Sequence, residues 1–243
     1  VKSDINEKNK KLIINNESVK IKKIKDLLYS KVAQALEIVG KNLLQEEKRK
    51  FLEKKLSNNS IINMNYHIES VISIIENLIQ LIENIEIIKQ ESNIFNDKQY
   101  SQLIQAKLSI IVNNKFSNVK KEEKDEHLNN FFFNISKNLA IHIDYTLKNY
   151  PHKFNYDYII NYFENIMLIF RLLDDKDIFE INNRKFLCQR ILSQTYNEDL
   201  ELKLINKLKL ENGTIFTFRS EIMINDIKNS VNIFDNYRTS KYY

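Results

Sequence analysis

Apolar residues recur at steps of three and four along most of this chain, which is the pattern of one face of an α-helix. The first such stripe runs from Ile21 to Val39, and Gly40 follows it at the position of a helix C′ glycine. A shorter second helix is predicted over Leu43–Leu56. Residues 1–18 are polar, lack a sustained period and predict a tail.

Longer apolar stripes follow in the middle of the chain. One predicts a helix from Tyr66 to Ile88, and good N-cap residues at 96–97 precede a helix that runs to Val112. Two more predict helices over Leu128–Lys148 and Tyr156–Leu173. The near-continuous apolar surface of the last of these predicts burial against two neighbours.

Composition agrees with a helical fold. The chain of 243 residues holds only two Gly and one Pro, so it has little material for the tight turns that hairpins require. We therefore predict an all-α protein. A chain of this length buries roughly 70% of its unfolded surface, which is enough for one large or two modest cores.

The sequence carries no sign of secretion or of a membrane span. No run of about 18 apolar residues is present, and the first residues lack the hydrophobic region of a signal peptide. A single cysteine, Cys188, excludes an internal disulfide and a cysteine zinc cluster. We expect a cytoplasmic or nuclear protein, or one found in both compartments, without membrane partners.

Acidic and basic residues alternate along the predicted helices, as in 46–50 and 122–126, and the formal net charge is only +5. Such mixing is typical of a solvated helix face. A nucleic-acid-binding protein would show a dense basic stripe or a base-reading motif, and the sequence shows neither. We expect no nucleic-acid partner.

Candidate chemistry is sparse. The four histidines, His67, His127, His142 and His152, stand in no metal-binding arrangement, and we expect them to be surface or half-buried residues. Two glycines cannot build a phosphate-binding loop, and Cys188 has no base to activate it, so a buried structural thiol is the favoured interpretation. The sequence predicts no catalytic residue, no metal ligand and no cofactor.

Two segments near the C-terminus, 176–192 and 205–230, resemble the cullin family. The residues that fit the family pattern are Lys176, Asp177, Phe179, Leu187, Arg190, Leu192, Lys207, Leu208, Lys209, Gly213, Phe216, Thr217, Glu221, Met223, Asp226, Ile227 and Ser230. Less specific matches lie upstream, at Asn96, Asp97, Tyr100, Leu139, Ala140, Ile143, Asp144, Leu147 and Lys148. Departures at Asn182, Asn183, Asn212 and Ser220 indicate a divergent member.

The resemblance implies an architecture. Cullins stack repeats of about five helices into a stalk, followed by a C-terminal domain that begins with a four-helix bundle. On that template residues 1–18 are the polar tail, 19–173 are the third cullin repeat with about five to six helices, and 174–243 are the first helices of the bundle. Asp174 and Asp175, which interrupt the apolar pattern, mark the predicted junction.

The resemblance also implies a function. Cullins are non-catalytic scaffolds of RING ubiquitin ligases, so we expect a rigid spacer between substrate receptor and ubiquitin-conjugating enzyme in protein degradation. The implied partners of the full-length protein are a RING-box protein, a ubiquitin-conjugating enzyme and a substrate-receptor adaptor. A ubiquitin-like modifier would attach beyond this segment, since the chain resembles only part of a cullin.

Basic residues in this part of cullins line a groove that attracts the acidic tail of a ubiquitin-conjugating enzyme. The resemblance therefore makes Lys185, Arg190, Lys207 and Lys209 candidates for partner binding. Two alternatives stay open at this point. The chain could be the cullin-homologous subunit of the anaphase-promoting complex, or a helical tethering or solenoid adaptor unrelated to ubiquitin.

Overall fold

The structure, a computed structural model, describes residues 2–57, 64–91, 98–115 and 134–239, with residues 2–18, 51–52, 54–57, 64–67 and 91 as backbone alone. These ranges contain eight α-helices and no strand, which confirms the all-α prediction. The helices are α1 (Lys2–Ser57), α2 (Met64–Glu91), α3 (Lys98–Val112), α4 (Ile135–Lys148), α5 (Tyr156–Leu172), α6 (Lys176–Leu192), α7 (Glu198–Asn212) and α8 (Thr214–Arg238).

Asparagine side chains begin three of these helices. The Oδ1 atoms of Asn134, Asn155 and Asn197 accept hydrogen bonds from backbone N–H groups three residues on, which starts α4, α5 and α7. At the other end of α7, Gly213 donates its N–H to the Lys209 carbonyl. The φ angle of Gly213 is +86°, a backbone conformation that glycine adopts easily and that residues with a Cβ atom rarely adopt. The predicted glycine cap of this helix is confirmed.

The prediction that the first helix ends at Gly40 is wrong, because α1 continues without a break from Lys2 to Ser57. Gly40 instead lies where α1 crosses α3. A Cβ atom placed on Gly40 would come within 2.6 Å of the Ile111 side chain. The glycine therefore permits a close approach of two helices. The segment predicted as a polar tail, 1–18, is helical backbone from residue 2 onward.

The core-facing side of α1 also differs from the predicted stripe. Tyr29, Ala33, Leu36 and Leu44 are the buried apolar residues of this helix. Most of the predicted stripe, including Ile21, lies on the exposed side. The helix was predicted correctly over this region, but its buried face was not.

One hydrophobic core runs through most of the described chain. α1 packs on α2 and α3, α2 packs on α4 and α5, and α3 packs on α5. The core then continues into α6 and α7 through Phe179, Leu200, Leu204 and Leu208. A smaller cluster of Leu187, Ile205 and Ile224 joins α6, α7 and α8. The predicted junction at Asp174 thus lies beside a continuous core.

Candidate functional site

The packing of α4 against α6 brings together the part of the chain before Asp174 and the part after it, and it is the most extensive helix pair in the described structure. Arg190, one of the predicted partner-binding residues, lies in this packing. Its side chain is fully buried, and its two acidic partners, Asp144 on α4 and Glu201 on α7, are buried with it.

The three side chains form one ion cluster. The Nε and Nη2 atoms of Arg190 donate to the two carboxylate oxygens of Glu201, at 2.6 and 3.0 Å. Its Nη1 atom donates to Asp144 Oδ1 at 2.7 Å. The second oxygen of Asp144 accepts a hydrogen bond from Lys148 at 2.7 Å, one turn along α4. The guanidinium fork therefore ties three helices together with directional bonds.

The ion cluster favours the charged form of Arg190. Burial alone would lower the pKa of Arg190, but Glu201 and then Asp144 outweigh it, and the pKa of Arg190 is raised. A buried cation held in this way is stable only while both carboxylates stay in place. The cluster consequently fixes the spacing of α4, α6 and α7.

Arg190 cannot serve as a groove residue, because a fully buried guanidinium is not accessible to the acidic tail of a partner. The prediction of partner binding is wrong for this residue. The spacing of the apolar residues around an arginine in the last turn of a helix is the same whether the arginine points into solvent or into the core. The distinction depends on Asp144, which is 46 residues away in the chain.

The three lysines that were predicted to bind a partner point in different directions. Lys185 is exposed on α6. Lys207 pairs with Glu164 of α5, and Lys209 pairs with Glu221 of α8 at 3.1 Å. Residues two apart on a helix point in divergent directions. Lys207 and Lys209 therefore act as ties between helices, and a partner-binding role for the three lysines stays a prediction.

Glu221 shows how such a tie is held. The Thr217 hydroxyl donates to its Oε1 atom at 2.6 Å, and Lys209 donates to its Oε2 atom. Both hydrogen bonds lower the pKa of Glu221, that from Thr217 more strongly. The Glu221 carboxylate thus joins α7 to α8.

Asn113 is a positioning residue that sequence reasoning missed. At the end of α3, its Nδ2 atom donates to the Leu172 carbonyl at 2.7 Å, and its Oδ1 atom accepts from the Asp174 N–H at 2.9 Å. It therefore holds the turn between α5 and α6 from both sides. The neighbouring Lys115 also pairs with Asp174, at 2.5 Å.

Aromatic side chains reinforce the same junction. The ring of Phe170 on α5 makes edge-on contacts with Phe179 on α6 and Phe216 on α8, with centroids 5.2 and 5.6 Å apart. Close by, Arg171 donates two hydrogen bonds to Glu211 of α7, which holds the pKa of Glu211 below its usual range. Together these contacts make the turn at Asp174 a packed joint.

His142 differs from the expectation of a surface or half-buried residue, since it is buried in α4. Its Nδ1 atom lies 2.6 Å from the Tyr162 hydroxyl, while its Nε2 atom has no hydrogen-bond partner among the described residues. Burial lowers the pKa of His142 to about 4, so the ring is neutral at physiological pH. His142 and Asp144 lie two residues apart on α4, so their side chains diverge and reach different partners.

Other chemistry is limited over the described ranges. They contain no group of three or more His, Cys, Asp or Glu side chains placed to hold a metal ion. None of the described helices is both long enough and apolar enough to span a membrane. Cys188 is half-buried, which differs from the predicted buried thiol.

Comparison with known proteins identifies the family that this chain resembles. Residues 2–233 match the family model described as the cullin alpha solenoid domain. Cullin-3B of Arabidopsis thaliana is 43% identical over 68 residues, which are 28% of this chain and 9% of the relative. Cullin-4A of Mus musculus is 28% identical over 127 residues, 52% of this chain and 17% of the relative.

Cullin-3 of Dictyostelium discoideum is 27% identical over 150 residues, 61% of this chain and 17% of the relative. The matched stretch of each of these three relatives is thus a small part of its own length. The family model, by contrast, covers nearly all of the chain. The helical architecture and this match together show that the chain belongs to the cullin family.

Proposed function

We propose that this chain is a scaffold segment of a RING ubiquitin ligase, which holds a substrate receptor and a ubiquitin-conjugating enzyme at a fixed distance in ubiquitin-dependent protein degradation. It performs no covalent chemistry itself. Its site of action is the cytoplasm, the nucleus or both. Membership in the cullin family supports the scaffold role, and the geometry of the junction at Asp174 supports the rigid form of that role.

The observation that carries the proposal is the continuity of the core across the junction. A flexible connection would be favoured by a polar boundary with few contacts. Here one apolar cluster includes Phe170 before the turn and Phe179 after it, and the Arg190 ion cluster crosses the same boundary. Movement of α6 relative to α4 would expose a buried charge as well as apolar surface.

Rigidity serves the reaction through geometry. The ligase must hold an acceptor lysine close to a ubiquitin thioester that a partner carries. A spacer that fixes distance and direction raises the effective concentration of one reactant near the other. Any movement at the joint would lower this effective concentration.

The partners that this role requires are a RING-box protein, a ubiquitin-conjugating enzyme and a substrate-receptor adaptor, bound through the full-length protein. A ubiquitin-like modifier would act on a site outside this segment. Within the segment, Lys185 is the candidate for attracting an acidic tail, because it is exposed. Such attraction speeds encounter and weakens as salt is added.

The first experiment is affinity purification of the full-length native protein, followed by mass spectrometry of what binds to it. Recovery of a RING-box protein and of a ubiquitin-like conjugate supports the ligase scaffold. Recovery of vesicle or tether components in their place contradicts it. The subunit composition would also separate an ordinary cullin ligase from the anaphase-promoting complex.

The spacer mechanism has its own test in the purified ligase. Arg190→Met loosens the joint, while Arg184→Met removes an arginine of the same helix that pairs only with Glu180 one turn away among the described contacts. At a temperature where both variants are folded, Arg190→Met should lower ubiquitin transfer with partner binding retained, and Arg184→Met should not. Equal transfer by the two variants would mean that rigidity of this joint is not what the ligase uses.

A further inference from the structure

The chain ends α3 with a defined turn at Asn113, Asn114 and Lys115, which we call the α3 corner. The Lys115 N–H donates to the Ile110 carbonyl at 2.9 Å, and the Asn114 N–H donates to the Ile111 carbonyl at 3.2 Å. This pair of backbone bonds is the Schellman motif, which ends a helix with one residue in the left-handed conformation. Asn114 is that residue, with a φ angle of +51°. The α3 corner therefore has a fixed backbone.

The α3 corner grips the turn between α5 and α6. The Asn113 amide holds a backbone group from each side of that turn, the Leu172 carbonyl and the Asp174 N–H. Its Nδ2 atom also donates to the Ser109 carbonyl at 2.9 Å, which fixes the amide against α3 itself. Lys115 adds an ion pair with Asp174. The turn is thus tied to α3 by bonds whose direction depends on the orientation of one amide group.

Other contacts at the joint constrain a different quantity. The members of the Arg190 ion cluster lie on α4, α6 and α7, so the cluster fixes the spacing of these three helices. The apolar core spans the joint, but the burial of apolar surface is not directional. The α3 corner is a directional contact between the first three helices and the turn from which α6 starts. It is therefore suited to control the direction in which α6 leaves α5.

We propose that the α3 corner is a positioning device, which sets the angle between the helices α1–α3 and the helix α6. A shift of α3 is passed to α6 through the turn at residues 172–175. The consequence for catalysis rests on the proposed spacer function: in a ligase, this angle would decide where the bound ubiquitin-conjugating enzyme lies relative to the substrate. The angle itself is a property of this chain.

A small rotation at the turn has a measurable effect at the other end of α6. This helix has 17 residues, so its far end lies about 25 Å from the turn, at 1.5 Å per residue. A rotation of about 10° would displace that end by about 4 Å, given this helix length. A distance measurement across the joint can detect such a displacement.

Double electron–electron resonance on the whole chain measures this distance. In every sample Cys188→Ser removes the single native thiol. Spin labels are then attached through Ile87→Cys on α2 and Leu192→Cys at the far end of α6, since both positions are exposed. The wild-type corner should give a narrow distance distribution.

Replacing the amide of the corner is the first perturbation. Asn113→Ala removes the bonds to the turn and should broaden the distance distribution or shift its mean by about 2 Å or more, half of the displacement that the helix length gives. Asn149→Ala is the matched control. The Asn149 Nδ2 atom donates to the Tyr145 carbonyl of its own helix at 2.7 Å, so this variant should leave the distribution unchanged.

Two variants of Asn114 test the backbone of the corner with the Asn113 amide still present. Asn114→Gly accepts the left-handed conformation and should preserve the wild-type distribution. Asn114→Val disfavours that conformation, because β-branched residues rarely adopt a positive φ angle, and it should broaden the distribution. Asn114 is only half-buried, so these variants keep the proposal testable if Asn113→Ala fails to fold.

A folded Asn113→Ala or Asn114→Val variant with the wild-type distribution overturns the proposal. So does equal broadening by Asn149→Ala or by Asn114→Gly. Because the distance measurement needs no ligase partner, its outcome is separate from that of the proposed function. In the purified ligase, Asn113→Ala should lower ubiquitin transfer relative to Asn149→Ala. A changed distance distribution with unchanged transfer would support the positioning role of the corner and contradict the rigid spacer.

Discussion

Replacing Arg190 with methionine tests the physical basis of the rigid joint. Methionine keeps most of the side-chain volume but removes the positive charge. The change leaves Glu201 and Asp144 buried, and Glu201 loses both of its hydrogen bonds from the guanidinium. Breaking one member of a buried ion cluster typically costs about 3–5 kcal/mol, since an unpaired charge is left without water.

The expected cost is a large part of the free energy of unfolding, which for a natural domain is about 5–15 kcal/mol. For a chain of this size it corresponds to a fall in melting temperature of about 6–20 °C. Circular dichroism during heating and urea titration measures both quantities. Arg184→Met, in a partly exposed pair on the same helix, should cost less than about 1 kcal/mol.

A third variant reverses the sign of the effect. Replacing Arg190, Glu201 and Asp144 together by apolar residues of similar volume removes all three charges, and such replacements are often neutral or stabilising. The triple variant should therefore be more stable than Arg190→Met. A loss below about 1 kcal/mol for Arg190→Met, or a triple variant less stable than the single one, would refute the view that unpaired burial is the penalty.

Three further variants probe other parts of the fold. Gly40→Ala should destabilise the chain by about 1–2 kcal/mol in urea titration, because overpacking against Ile111 exceeds the gain in helix propensity. Phe179→Ala should cost about 3–5 kcal/mol by the same measurement, since it opens a cavity at the joint. Between pH 6.5 and 4, native His142 binds fewer protons than the unfolded chain, so stability should fall by about 3 kcal/mol, and His142→Phe should remove this part of the pH dependence.

Each of these has a decisive control. Gly40→Ala should become neutral or favourable when Ile111 is already alanine, and an unchanged penalty in that background would rule out the proposed clash. Phe186→Ala removes a half-buried ring from the same helix and should cost less than Phe179→Ala. For the histidine, an identical slope of stability against pH in wild type and His142→Phe would assign the acid sensitivity to other groups.

The local period of the sequence predicted the helices well, because a stripe of apolar residues is a property of one short segment. The bounds of α5 agree with the predicted ones to within one residue. The role of Arg190 could not be found in the same way, since its acidic partners lie 11 and 46 residues away in the chain. Asn113 is similar: its partners Leu172 and Asp174 lie 59 and 61 residues distant.

The first helix shows why hydrophobicity alone selects the wrong face. The inner face of α1 includes Tyr29, Ala33 and Gly40, whose small or amphipathic side chains lower its average hydrophobicity. Gly40 is there because α3 approaches closely, so the tightest contact of the helix looks like a gap in the stripe. The opposite side of α1, which includes Ile21, Ile24 and Ile38, has the more regular apolar pattern and yet is exposed. An apolar period therefore reports that a segment is helical, while the face that becomes buried depends on where the rest of the chain packs against it.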